Sequence, residues 1–127
     1  MPYDRRQIPL LHDLGLKVVY HLCGGVMPMA ETGADGLETM TPPSVGGNCD
    51  LREASARVGE KLFFIGGFDQ NAGFERGTPA RARQQVLDLF EATRDHAGYM
   101  ICPSDHFFHG DPASLQAFAD AARECVY

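Results

Sequence analysis

The 127-residue chain is 44% hydrophobic and 22% charged, the balance of one folded domain with a single core rather than of a disordered segment. Eleven Lys and Arg against seventeen Asp and Glu give a formal charge of -6, which disfavours a nucleic-acid groove or an anionic membrane surface, since both need a dense positive field. No run reaches the ~18 to 20 apolar residues of a membrane span, and the opening MPYDRRQIPLL lacks an apolar h-region and a cleavage site, so the expectation is a cytoplasmic protein acting on a small molecule.

The expected elements follow in chain order. Asp4 to Leu14 reads as a short helix with Ile8, Leu11 and Leu14 on one face and Gly15 as its stop, although Pro9 suits only a first turn. Leu16 to Cys23 (LKVVYHLC) has the composition and flanks of a buried strand. VMPMAET leaves room for barely two helical turns before Gly33, and a second strand is expected at about Gly36 to Met40. Thr41 to Asn48 is loop, and Asp50 with Glu53 marks a capped helix ending at Gly59. KLFFIGG is a third strand and FDQNAGFERG a long loop. Thr78-Pro79 then opens a helix with Ala82, Val86, Leu89, Phe90 and Thr93 on one side. YMICP is a fourth strand, and Asp111-Pro112 opens a last helix to about Cys125. Alternating strands and helices predict an α/β fold with a parallel sheet. Four strands make an open sheet or half of a (β/α)8 barrel, which needs ~250 residues when whole.

Polar residues gather at the carboxyl-terminal ends of these strands, where parallel α/β folds place their ligands. His21 and Cys23 stand two apart on the first strand, which points them to one face. Glu38 ends the second strand, Gly66, Gly67 and Asp69 follow the third as candidate cofactor-binding positions, and Cys102, Ser104, Asp105 and His106 follow the fourth. Imidazole, thiolate and carboxylate are the donors that Zn²⁺ accepts, and three protein ligands leave a position open for chemistry. The candidate metal ligands are His21, Cys23, Asp105 and His106, with Glu38, Asp105 and His106 as candidate catalytic groups. Each also has a plainer reading: His-x-Cys as core packing, Asp105 as a turn cap, Glu38 as an ion-pair partner. Met27, Met29 and Met40 read as gap-filling core residues. Cys49 and Cys125 read as structural positions on helix surfaces or loops, and His12 and His96 as solvated groups or dipole partners at helix ends. His109 shares the loop of His106 and stays open. Four cysteines are too sparse for a secreted disulfide scaffold, so free thiols or metal ligands are expected, and without a CxxC pair neither a zinc ribbon nor a thioredoxin-type motif is.

Three segments, VVYHLCGGVMPMAETGADGLETMTPP, GEKLFFIGGFDQNAGFERGTP and GYMICPSDHFFHGDPASLQAFADAARE, resemble the carboxyl-terminal half of the uroporphyrinogen decarboxylase superfamily, from about Leu14 to Glu124. The resemblance implies half of a (β/α)8 barrel. Its methyltransferase branch holds zinc with a His-x-Cys pair and a later Cys, and the zinc activates a thiol that takes methyl from a corrinoid. His21 and Cys23 match the pair. Asp105 stands where the later Cys is expected, with His106 beside it, and Cys102 would serve only after a shift of strand register. The resemblance therefore implies zinc, a corrinoid as methyl carrier and possible pairing with a corrinoid protein. It leaves uroporphyrinogen decarboxylase, a lyase of porphyrin biosynthesis that needs a cationic pocket and no metal, as the alternative enzyme. The residues that bind an acidic tetrapyrrole belong to the amino-terminal barrel half, which this sequence does not include. An inactive remnant is the non-enzyme reading. Two open sheet edges also predict self-association or a second chain that completes the barrel.

Overall fold

The computed structural model describes residues 2–95 and 98–127. Helix α1 (Asp4–Asp13) leads into strand β1 (Val19–His21), and a 3₁₀ segment (Met27–Glu31) connects it to β2 (Gly36–Thr39). A second 3₁₀ turn (Pro43–Val45) precedes helix α2 (Leu51–Val58) and strand β3 (Phe63–Phe68). A π-turn (Asn71–Glu75) then leads to α3 (Pro79–Thr93), β4 (Tyr99–Pro103) and α4 (Pro112–Glu124). The sheet is wholly parallel in the order β1-β2-β3-β4. The fold is thus an α/β unit of alternating strands and helices.

Local chemistry sets the helix starts. Asp50 accepts the Glu53 N–H at 3.0 Å, Thr78 the Arg81 N–H at 3.3 Å and Asp111 the Ser114 N–H at 3.1 Å, each satisfying a donor that lacks an intrahelical partner. Pro79 and Pro112 follow two of these caps, where the missing N–H removes nothing.

Register explains which face is buried. Tyr20, Leu37, Phe64 and Tyr99 form one row across the sheet, and all four belong to the core under α2 and α3. Leu37, Met40 and Phe64 are fully buried, each contributing about 1.5–3 kcal/mol over the exposed state. A second cluster joins Phe68 and Phe74 to Val86 and Phe118, with ring centroids of Phe68 and Phe74 4.6 Å apart. The neighbouring row, His21, Glu38, Ile65 and Met100, points the other way. Among the described residues neither core cluster takes a side chain from that face.

Several expectations are corrected. Pro9 lies in the interior of α1, and the helix continues through it. The first strand is three residues long, not eight, and it is an edge strand with Val19 exposed rather than a buried one. The expected loop after β3 contains the π-turn. Cys49 lies in the loop before α2, as expected for a structural position, but it is buried there at 2% exposure, and burial followed by the charges of Asp50 and Glu53 pushes its thiol up to about 12. The three methionines do pack in the core. His96 lies outside the described residues.

Candidate functional site

The carboxyl-terminal ends of β1, β2 and β4 surround a cavity of about 330 Å³ lined by His21, Cys23, Glu38, Asp105, His106 and Phe107 among others. Parallel pairing sets His21 opposite Glu38, and Glu38 Oε2 lies 3.1 Å from His21 Nδ1. In the tautomer that donates Nδ1–H to this carboxylate, Nε2 is the nitrogen left to accept or to bind a cation. Cys23 lies two residues beyond the end of β1, in the bend that follows it, and its Sγ lies 3.6 Å from Nε2. Carboxylate, imidazole and thiol are therefore linked in series.

The opposite wall belongs to the loop after β4. Ser104 is buried and tethers the loop root: its N–H donates to Phe68 O at 2.9 Å, and its hydroxyl lies 2.9 Å from Phe68 O and 3.2 Å from Gln70 Oε1. Asp105 Oδ1 accepts from the His106 N–H at 2.7 Å and lies 2.9 Å from His106 Nδ1. The His106 backbone N–H, then its ring, lower the Asp105 pKa. Asp105 is thus ionised and engaged with its own loop. Among the described residues no three His, Cys, Asp or Glu side chains converge closely enough to hold a metal ion, so His21 and Cys23 form a two-donor pair with the acidic turn facing it.

Other expected residues lie elsewhere. Cys102 is paired in register with Gly67, its Sγ donates to Pro103 O at 3.3 Å, and burial together with Glu38 raises its pKa. No register shift brings it to the pair. Asp69 caps the π-turn by accepting the Ala72 N–H at 2.9 Å, and with Gly67 it lines a separate groove of about 310 Å³ beside α3. Gly66 has a packing role, because a Cβ there would overlap the Thr39 carbonyl oxygen.

Thr39 was no sequence candidate, yet it lines the cavity at an unusual backbone angle, φ 80°, with Met40 following at 41°. A left-handed conformation costs a non-glycine residue roughly 1–2 kcal/mol. The Thr39 hydroxyl holds the turn by donating to Leu22 O at 2.7 Å, which ties the end of β2 to the segment between His21 and Cys23. No periodicity betrays such a residue; the Gly-Gly at 66 and 67, flagging a close approach to its neighbour, is the nearest signal in the sequence.

A scan against protein-family models gives no match, and no curated protein is significantly similar to the chain.

Proposed function

We propose that this domain is half of a (β/α)8 barrel of the uroporphyrinogen decarboxylase superfamily and belongs to its zinc-dependent methyltransferase or demethylase branch, transferring methyl between a corrinoid and a thiol. The observation that carries this reading is the 3.6 Å separation of His21 Nε2 and Cys23 Sγ. Zinc bonds of ~2.1 Å to nitrogen and ~2.3 Å to sulfur at a tetrahedral angle imply a ligand separation of about 3.6 Å, so the pair already has the spacing of two zinc ligands.

His21 and Cys23 would hold the metal, with Asp105 or His106 as the third donor once their mutual hydrogen bond opens. Bound there, zinc would stabilise the thiolate form of a thiol substrate and make it nucleophilic at neutral pH. Glu38 orients the His21 ring and, by accepting from Nδ1–H, leaves Nε2 as the nitrogen that would bind the metal. A bound corrinoid would supply the methyl group as an electrophile, and His21 and Cys23 would hold the zinc that presents the thiolate to it. Thr39 and Phe107 shape the cavity, while the thiol and the methyl carrier must enter from its open side. The decarboxylase alternative is less well supported, because that reaction needs no metal and gives the His21–Cys23 pair, with its 3.6 Å spacing, no role.

The experiment is zinc titration of the purified chain against a chromophoric chelator. One zinc per chain is expected, with affinity at least ~100-fold lower in Cys23→Ser. A wild-type chain that takes up no zinc, or a Cys23→Ser chain that binds it equally well, would falsify the zinc-dependent reading.

A further inference from the structure

We infer that Thr39 is a positioning residue for Cys23: together with Thr41 it holds the backbone on both sides of the cysteine and so sets the 3.6 Å spacing between Cys23 Sγ and His21 Nε2. The use of that spacing rests on the zinc reading, whereas the restraint lies in hydrogen bonds within this chain. The Thr39 hydroxyl donates to Leu22 O at 2.7 Å, and the Gly24 N–H donates to Thr41 Oγ1 at 3.5 Å. Leu22 and Gly24 are the residues immediately before and after Cys23. The end of β2 therefore grips the cysteine by both flanks and leaves its thiol exposed to the cavity.

The strand ladder explains why side chains are needed here. β1 and β2 pair in register from Val19 and Gly36 to His21 and Glu38, and β1 ends at that pair. One further step would set Leu22 beside Thr39. At that step the β2 backbone turns left-handed, with φ 80° at Thr39 and 41° at Met40, and leaves the path of a strand. Cys23 then lies in a bend, where no ladder fixes its distance from His21. The Thr39 hydroxyl supplies a bond between the two segments one step after the pairing has ended, at the length of a good O–H···O bond. The Thr41 link is at the limit of hydrogen-bond distance, so Thr39 carries the larger share.

The choice of threonine favours a role beyond the turn. A β-branched residue in the left-handed region is an outlier, and glycine would occupy the same conformation without strain. The hydroxyl that reaches Leu22 O gives the strained residue a reason to be there. Both threonines are also buried, which shields their bonds from water. Their own backbones are fixed in turn: Gly66 packs directly against Thr39 O, and Thr41 O accepts the Cys49 N–H at 3.1 Å.

Zinc titration and ¹⁵N relaxation of the full chain test this role. In the metal-free wild type the Cys23 amide should be as ordered as a strand, with an order parameter of about 0.85. Thr39→Val keeps the branching and removes the hydroxyl; it should bring the order parameter below ~0.6 and cut zinc affinity ~10- to 100-fold. Thr39→Gly, which suits the turn but lacks the hydroxyl, should lose as much, and Thr39→Ser should restore both readouts. Thr32→Val removes another 2.7 Å hydroxyl bond, to Met29 O before β2, and should change neither. Retained zinc affinity in Thr39→Val, a glycine variant that matches wild type, or equal losses in Thr32→Val would overturn the positioning role and leave the zinc reading intact. A Cys23 amide already mobile in the metal-free wild type would overturn it without any variant. A wild type that takes up no zinc sinks the zinc reading alone, because the Cys23 order parameters still decide whether Thr39 holds the cysteine.

Discussion

The two rims of the sheet each carry a histidine beside a carboxylate, and the contrast between them separates support from chemistry. At the amino-terminal rim Asp35 accepts from Lys17 Nζ at 2.8 Å and the Val18 N–H at 2.8 Å, and lies 2.9 Å from His12 Nε2. Lys17, then the Val18 N–H and His12, hold its carboxyl well below the usual range. His12 is on α1, and Lys17 and Val18 are in the segment that joins α1 to β1, so the cluster clamps that helix to the sheet. At the carboxyl-terminal rim Glu38 meets only one face of His21, and the remaining nitrogen of the ring points at a thiol. A saturated carboxylate stabilises a fold, whereas a histidine with one nitrogen fixed and the other presented can bind something.

Exchanging the two histidines for alanine sharpens this contrast most. His21→Ala should reduce zinc affinity by two orders of magnitude or more with little effect on thermal unfolding, because its side chain is 59% exposed. His12→Ala should do the reverse: unchanged zinc uptake and a lower melting temperature. Equal losses of metal in both variants would erase the distinction between the rims. Glu38→Gln comes next, with a ~10- to 100-fold loss of zinc affinity measured by the same chelator competition. Retention of full affinity would show that the carboxylate has no role in orienting the ring.

Asp35→Asn gives the smallest but most specific readout, a change in pH dependence. A carboxyl whose folded pKa is depressed stabilises the fold fully above its unfolded value of ~3.9, and that contribution disappears as pH falls through and below that value. The wild type should therefore melt above the variant at neutral pH, with the gap closing below about pH 4. A gap that stays constant into acid would mean that the Asp35 charge contributes nothing.

Local signals in the sequence were the dependable ones. The caps at Asp50, Thr78 and Asp111 need only neighbours three residues away, and they fall where the pattern puts them. The convergence of His21, Cys23, Glu38, Asp105 and His106 on one cavity was also legible, because parallel α/β topology fixes which strand ends share a rim. Long-range facts were not. His12 finds its partner 23 residues away, so nothing near it announces an ion pair. The apolar run at Leu16 to Cys23 does not say how much of it pairs, or that it lies at an edge. The burial of Cys49 depends on packing between α2 and the end of β2, which no period encodes.

Gly66 carries a consequence for how this protein tolerates change. Its nearest non-local neighbour is the Thr39 backbone, one residue past Glu38, and even a methyl group there would collide with it. Saturation mutagenesis should score position 66 among the least permissive in the chain, although it touches neither the histidine nor the thiol. Tolerance maps of this molecule would thus outline the scaffold of the rim as sharply as its reactive groups.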